Sequence, residues 1–328
     1  MINLNRKKTV FFCCFMIYFT ALSGGAAMAA QDEIPVDTVS QTTPAHVYVE
    51  LKRVLQLIDA MGRFMGVPEP DPLGISVSNA SPHDVYFQAR TLTIKANRMS
   101  FELIRKNRIA PDLAEGTIRP VQVKQMVIES FGVLSEVARQ YDVLVENPEI
   151  HLDKTMTPSD LFMATLTANR YLNVLLERRF SHAEVYKVVN LAVSYASRLL
   201  AQYPGAERIP KKPLYETDKK PLDVYYRLLD CFGLIKKIYQ AHGYDILEID
   251  ISGLHKKNIS PSDVFDMASL IVARLDFLHK TKNIRRSPRE SYFPGRKFPS
   301  DVYQQVGILE KQLANLFSYI ENRKEIDK

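Results

Sequence analysis

The chain of 328 residues contains 43 Lys or Arg and 37 Asp or Glu, which gives a formal net charge of +6 at pH 7. Residues 1–30 hold three of the basic residues and no acidic residue, so residues 31–328 carry only +3, from 40 basic against 37 acidic side chains. So small an excess argues against a nucleic-acid-binding protein, which concentrates positive charge. No nucleic-acid partner is therefore expected.

Residues 1–30 have the pattern of a secretory signal peptide. Three basic residues, 6–8, precede a short apolar run, and small residues follow it up to an expected cleavage point at residue 29 or 30. We therefore expect an exported, periplasmic protein in which residues 31–43 form an N-terminal linker. The alternatives are secretion and anchoring in the membrane by an uncleaved leader.

The three cysteines bear on how the fold is held together. Cys13 and Cys14 fall in the expected leader, so Cys231 is alone in the remainder of the chain. An exported protein with one cysteine forms no internal disulfide, and its stability must come from packing. Cys231 occupies an apolar position of a predicted helix, so we expect a buried, inert thiol.

A motif of six residues recurs along the chain, as in SPHDVY at 81–86 and SPSDVF at 260–265. Aligned on its second position, it has eight anchors, spaced by 38, 38, 38, 24, 39, 40 and 38 residues: Pro44, Pro82, Pro120, Pro158, His182, Pro221, Pro261 and Pro299. Ser or Thr before the anchor caps a helix, proline suits the first turn, and the acid three residues after the cap bonds back to it. The motif therefore predicts eight helix starts.

Apolar residues follow each anchor at alternating steps of four and three. In the second repeat they are Val85, Ala89, Leu92, Ala96, Met99 and Leu103. This spacing is typical of helices packed side by side in a bundle. The sequence thus predicts an all-α fold, an eight-helix repeat or tandem helical bundle with long irregular connectors.

The connectors bear on the direction of the helices. Segments such as 66–80 and 203–220 are long enough, at about 3.3 Å per extended residue, to run back along a helix. Consecutive helices are therefore free to point the same way. The 24-residue spacing leaves only a turn between the fourth and fifth helices, which predicts an antiparallel pair there.

The spacing also suggests a division of the chain. We expect a first set of four helical repeats at 44–180 and a second set at 181–328, packed against the first. The connectors 141–160 and 244–263 resemble each other and pair the third helix with the sixth, so the phase of the duplication stays open. Alternating apolar residues at 247–251 are consistent with one short strand.

No catalytic, cofactor-binding or metal-binding residue is predicted. Capping explains the acids of the helix starts. The seven histidines have no acid or second histidine at i+3 or i+4 on a clear inward face, and phosphate loops, nucleophile elbows and HExxH motifs are missing. We expect no cofactor and favour a protein without catalysis.

An aromatic residue lies four positions after seven of the eight anchors, which capping does not require. These residues are Tyr48, Tyr86, Phe162, Tyr186, Tyr225, Phe265 and Tyr303. Packing within a bundle is the simpler explanation. If the helix starts converge at one end, the same residues would form an aromatic pocket for a small ligand.

Residues 279–299, here called the basic segment, carry the strongest local charge. Its basic residues are Lys280, Lys282, Arg285, Arg286, Arg289, Arg296 and Lys297, against the single acid Glu290, with Tyr292, Phe293 and Phe298 interleaved. The simpler explanation is a solvated connector between two helices. The same composition also suits binding to an acidic protein patch, an acidic polymer or an anionic lipid surface.

These patterns predict an exported binding or scaffolding module that recognises an envelope protein through its connectors, since functional residues tend to lie on loops held by a rigid scaffold. A periplasmic small-ligand receptor that uses the aromatic residues is the alternative. An enzyme with a site built from the connectors is the least favoured hypothesis. The basic segment also allows peripheral contact with an anionic surface.

Overall fold

The computed structural model describes residues 42–109, 111, 114, 116–145, 149–176, 179–255, 259–289 and 294–326. The expected leader, most of the expected linker, and Glu290, Tyr292 and Phe293 lie outside the described residues. Within the described part, the fold is all-α, as predicted. Its helices are α1 Pro44–Met65, α2 Pro82–Ile104, α3 Pro120–Gln140, α4 Pro158–Leu175, α5 His182–Leu200, α6 Pro221–His242, α7 Pro261–Thr281 and α8 Pro299–Ile326.

Each of these helices begins at its predicted anchor, and the capping contacts explain why. Before α7, the backbone N–H of Ser260 donates to Asp263 Oδ2 at 2.8 Å, and the N–H of Asp263 donates to Ser260 Oγ at 3.4 Å. This reciprocal pair satisfies backbone donors that the first helical turn leaves unpaired. The same arrangement starts α4 with Thr157 and Asp160, and α5 with Ser181 and Glu184.

The predicted apolar positions form the core. In α2, Val85, Ala89, Leu92, Ala96 and Met99 are all buried. Their spacing keeps them on one side of the helix, where they pack against α3 and α4. The 4-3 pattern therefore identified core positions of this helix, but Leu103 at its end is only half-buried and α2 also buries polar residues such as Lys95.

The helices contact one another in two similar rings. The first ring runs α1, α3, α2, α4 and back to α1, and the second runs α5, α7, α6, α8 and back to α5. The start of α2 touches that of α4, where the N–H of Ala80 donates to Ser159 Oγ at 3.1 Å. Four helices later, the N–H of Lys219 donates to Ser300 Oγ at 3.2 Å. The contacts between helices thus repeat with a period of four helices. The division into two domains between residues 180 and 181 stays a prediction.

Neighbouring helices of the first ring point in the same direction. Besides the contact between the starts of α2 and α4, Asn169 farther along α4 donates from Nδ2 to the Gln88 carbonyl of α2 at 3.0 Å. Contacts near the starts and contacts farther along therefore follow the same order in both helices, so α2 and α4 are parallel. Helices α1 and α3 are also parallel. Glu50 contacts Lys124 near the two starts, and Phe64 contacts Tyr141 near the two ends.

The second ring is parallel in the same sense. Near the starts of α5 and α8, the Tyr186 hydroxyl donates to Gln305 Oε1 at 3.2 Å, and farther along, Gln312 Nε2 donates to the Val193 carbonyl at 3.2 Å. Long connectors make this possible, because each returns the chain to the end at which the next helix begins.

The two rings run in opposite directions and meet through α2 and α7. Asp84, near the start of α2, pairs with Arg274, which lies well along α7. Lys95, in the middle of α2, pairs with Asp266 near the start of α7, with Nζ and Oδ1 2.7 Å apart. The start of each helix thus lies beside a later part of the other, so α2 and α7 are antiparallel. The short turn before α5 therefore reverses the chain direction between the rings.

Ion pairs with little solvent exposure join the rings at this contact. Burial lowers the pKa of Lys95 and raises that of Asp266, and the charge of each partner opposes both shifts. Two of the capping acids take part in similar pairs, Asp84 with Arg274 and Asp263 with Arg170. The sequence predicted the capping role of these acids but not their buried cations.

A short antiparallel ribbon joins two connectors. Strand β1, Ser76–Ser78, follows α1 and pairs with β2, Glu248–Asp250, which follows α6. Next to the ribbon, Gly74 has φ +72°, and a Cβ at this position would overlap the Gly253 carbonyl oxygen. Glycine is therefore required there both by backbone conformation and by space. The sequence suggested the second strand, but not its partner.

Candidate functional site

Two residues of the basic segment, Arg286 and Arg289, line a depression together with Arg198 from the last turn of α5. The depression has a volume of ≈ 520 Å³, and its other lining residues are Asn190, Val193, Ser194, Ser197 and Ile209. We call it the arginine pocket. Its walls come from α5, from the connector after α5 and from the connector after α7.

Hydrogen bonds hold the basic segment against α5. The backbone N–H of Arg289 donates to Ser194 Oγ at 2.7 Å. The carbonyl of Arg286 lies 3.1 Å from Nε2 of His279, whose ring packs edge-on against Tyr195 of α5. The backbone that carries the two arginines is thereby fixed to the helix that carries the third.

The positive charge of this region has no described carboxylate to balance it. Among the residues that the structure describes, no acid forms an ion pair with Arg198, Arg208, Arg286 or Arg289. Partial burial, and then the charges of Arg286, Arg289 and Arg208, lower the pKa of Arg198. Guanidinium groups nevertheless stay protonated in proteins. The charges therefore stay close together, and a bound anion would lower their repulsion.

Arginine is well suited to hold such an anion. Its planar fork of N–H groups matches a carboxylate or a phosphate with two parallel hydrogen bonds, which a lysine ammonium cannot do. The hydroxyl of Ser197 and the amide of Asn190 add neutral hydrogen-bonding groups to the same wall. This arrangement can bind an anionic group and orient it.

The other predicted basic residues are placed elsewhere. Lys280 and Arg285 line a second, wider cleft, and Lys280 Nζ is 3.0 Å from Asp276 Oδ2. Lys282 is exposed just after the end of α7. Arg296 lies over the ring of Phe298, and Lys297 over that of Tyr186. The basic segment thus divides between two cavities and two ring contacts.

The seven aromatic residues after the helix starts take up separate contacts. Phe162 and Tyr225 both line a cavity of ≈ 30 Å³ beside the ribbon, about the size of one water molecule. Tyr86 accepts from the Ala114 N–H, and the Phe265 ring lies 4.2 Å from that of Phe180. The remaining three lie near the surface with basic partners: Tyr48 beneath Lys52, Tyr186 beneath Lys297, and Tyr303 beneath Lys219 and Arg227.

The side chains of Cys231, Tyr225 and Tyr239 are buried. The thiol of Cys231 is 0% exposed, and burial raises its pKa well above the usual value. Burial also raises the pKa of Tyr225 and Tyr239. No group of three or more His, Cys, Asp or Glu side chains in the described residues is arranged to hold a metal ion.

Sequence reasoning missed Arg198 and Arg208. Arg198 ends an amphipathic helix, where a basic residue is ordinary because it opposes the helix dipole. Arg208 lies in a connector about which the sequence predicts only length and polarity. The nearness of both to the basic segment follows from the parallel second ring.

In the described part of the chain, none of the helices combines the length and the apolar character needed to cross a membrane. Comparison of the chain with protein-family models, with curated proteins and with solved structures finds no match.

Proposed function

We propose that this protein is a binding module of the cell envelope that recognises an acidic segment of a partner protein through the arginine pocket and the surrounding connectors. The observation that carries the proposal is the convergence of Arg198, Arg286 and Arg289, without described counter-ions, in one depression. Export rests on the leader pattern of residues 1–30.

The charge pattern favours recognition over a purely structural role. Elsewhere in the described chain, two arginines that join different helices pair with acids, Arg227 with Glu310 and Arg170 with Asp263. Holding like charges close together costs free energy unless a ligand neutralises them. An acidic partner gains from this stored repulsion, and complementary charge also speeds its association.

Exposed apolar residues on the connector that contributes Ile209 to the pocket favour a peptide segment as the partner. On the connector after α5, Ile209 is 56% exposed and also lines the pocket, and Leu214 is 90% exposed. Tyr215 on the same connector is half exposed. A segment that carries both acidic and apolar side chains would use both features, because exposed apolar side chains beside polar groups are typical of protein interfaces.

The test uses a fluorescein-labelled synthetic peptide of glutamate, glycine and leucine, with a glutamine analogue as the neutral control. Fluorescence anisotropy with the purified protein should give saturable binding of the acidic peptide that weakens as salt is added, since exposed charges are screened. The glutamine analogue should bind at least about tenfold more weakly, because each charge-assisted hydrogen bond contributes about 1.5–3 kcal/mol.

Two results would overturn the proposal. One is equal affinity for the acidic and neutral peptides. The other is binding to vesicles that contain phosphatidylglycerol without binding to the acidic peptide, which would assign the pocket to an anionic lipid surface instead.

A further inference from the structure

A second cavity lies between the start of α2 and the end of α7, on surfaces that the arginine pocket does not use. It is an open cleft of ≈ 1240 Å³, here called the α2–α7 cleft. Residues 81–83, 116–118, 277, 279–281 and 283–285 line it. Small-molecule sites commonly have volumes of about 300–1,000 Å³, so the cleft is large enough for a complete small ligand.

His83 is the unusual residue of this cleft. Its side chain lines the cleft although the residue is only 9% exposed. Its Nε2 lies 3.8 Å from Asp276 Oδ2, an ion pair when the imidazole is protonated, and both ring nitrogens are shielded from solvent. The part of the side chain that His83 presents to the cleft is therefore carbon.

Neighbouring rings hold this imidazole in place. The ring centroid of His83 lies 4.9 Å from that of Phe87 and 5.5 Å from that of Phe277. A side chain fixed in this way loses little entropy when it binds a ligand. The imidazole is therefore a fixed aromatic part of the cleft wall.

The charge of the cleft comes from one cation without a described counter-ion. Lys280 is occupied, because its Nζ contacts Asp276 at 3.0 Å and donates to the Ala114 carbonyl at 2.9 Å. Arg285 also lines the cleft, is exposed, and forms no ion pair with an acid in the described part of the chain. The cleft therefore has an available guanidinium.

Apolar side chains form much of the remaining wall. Phe277, Ile118 and Ile284 line the cleft together with the ring of Pro82. A few polar groups in a mostly apolar wall are typical of sites for small organic ligands. The polar groups fix the orientation of the ligand, and the apolar wall supplies contact area.

We propose that the α2–α7 cleft binds a small organic acid with an apolar body, a carboxylate or sulfonate on an aromatic or aliphatic frame. Arg285 binds the acidic group, and Phe277, Ile118 and the carbon edge of the His83 ring contact the apolar body. This site is separate from the arginine pocket and does not depend on the function proposed for it.

The test uses 8-anilinonaphthalene-1-sulfonate, an aromatic sulfonate whose fluorescence rises in apolar surroundings. The folded protein should bind this probe saturably, and benzoate or octanoate should displace it, whereas benzyl alcohol or octanol should not. His83→Phe keeps an aromatic ring between Phe87 and Phe277 but removes both nitrogens, and it should leave the affinity for the probe close to that of the unchanged protein, because neither nitrogen is exposed to the cleft.

Two variants of the connector complete the experiment. Arg285→Gln should weaken binding of the probe about tenfold, because it removes a charge-assisted hydrogen bond. Lys282→Gln, which removes a charge from the same connector without lining the cleft, should leave the affinity unchanged. Both positions are exposed, so both variants should fold even if His83→Phe does not.

Each remaining outcome counts against the proposal. The cleft is not an acid site if the probe does not saturate, if the alcohols displace it as well as the acids do, or if Arg285→Gln binds it like the unchanged protein. Peptide binding at the arginine pocket would survive such a result, because Arg286 and Arg289 are unchanged in these variants.

Discussion

The buried pair of Lys95 and Asp266 permits a direct test of how the two rings are joined. We predict that Lys95→Met destabilises the protein strongly at neutral pH. Methionine fills a similar volume but leaves Asp266, which is 4% exposed, without its cation. The partner that remains is the side-chain amide of Asn173, whose Nδ2 lies 3.5 Å from Asp266 Oδ2.

The expected loss is large. Breaking a buried ion pair by removing one partner costs about 3–5 kcal/mol, and a typical domain has only about 5–15 kcal/mol of stability. The double variant Lys95→Met with Asp266→Leu removes both charges, so it should recover most of the loss. As a control, Lys236→Met breaks the exposed pair with Glu248 and should have little effect.

The loss should also depend on pH in a defined direction. Burial already raises the pKa of Asp266, and without Lys95 its pKa rises further. In the variant, folded protein therefore binds a proton in a pH range where the unfolded chain does not, so stability increases as the pH falls through that range. The deficit relative to the unchanged protein should shrink in acid.

Urea unfolding followed by far-ultraviolet circular dichroism measures these differences. The account of the contact between the rings is refuted if Lys95→Met costs no more than Lys236→Met, or if the double variant is less stable than Lys95→Met alone.

Two further predictions concern the connector contact and the single thiol. Gly74→Ala should lower the free energy of unfolding more than Gly66→Ala. Both glycines have similar positive φ, +72° and +67°, but only at Gly74 does a Cβ meet a neighbour, the Gly253 carbonyl. Equal losses in urea unfolding would contradict the close approach. Cys231 should resist N-ethylmaleimide at mildly alkaline pH and react once urea unfolds the chain, because burial raises the thiol pKa and blocks access. Mass spectrometry of the peptide that contains it gives the modified fraction, and rapid labelling of folded protein would place the thiol at the surface.

The helix starts could be predicted from the sequence because their chemistry is local. Ser260 and Asp263 are three residues apart, and their reciprocal hydrogen bonds form wherever that spacing begins a helix. The inward face of α2 was also predictable, since the spacing of its apolar residues depends only on helix geometry. These features need no knowledge of which helix packs against which.

Helix direction and the buried charges could not be predicted in the same way. Long connectors permit either direction, so the parallel rings follow from tertiary contacts alone. Lys95 lies beside Ala96 in a helix where a lysine usually indicates a solvated face, and Asp266 belongs to a helix far away in sequence. No periodic pattern connects two such residues.

The candidate site was predicted in part. The sequence identified Arg286 and Arg289 by local charge density, but it also grouped them with Arg296 and Lys297, which lie over aromatic rings. Arg198 joins the site because the end of α5 lies against the connector after α7. Charge density along a sequence is local, whereas the convergence of charge in a pocket depends on the fold.

The most direct test of acidic-peptide binding at the arginine pocket compares two variants that lose the same charge in different places. In one, glutamine replaces Arg198, Arg286 and Arg289; in the control, glutamine replaces three exposed lysines away from the pocket, Lys52, Lys154 and Lys237. The measured quantity is the affinity for the acidic peptide over a range of salt concentrations.

We expect the arginine variant to bind at least about tenfold more weakly and with a shallower salt dependence, because it loses charge-assisted hydrogen bonds. The lysine variant should stay close to the unchanged protein. Equal affinities of the two variants would mean that net charge alone attracts the peptide, and would contradict a binding site at the arginine pocket.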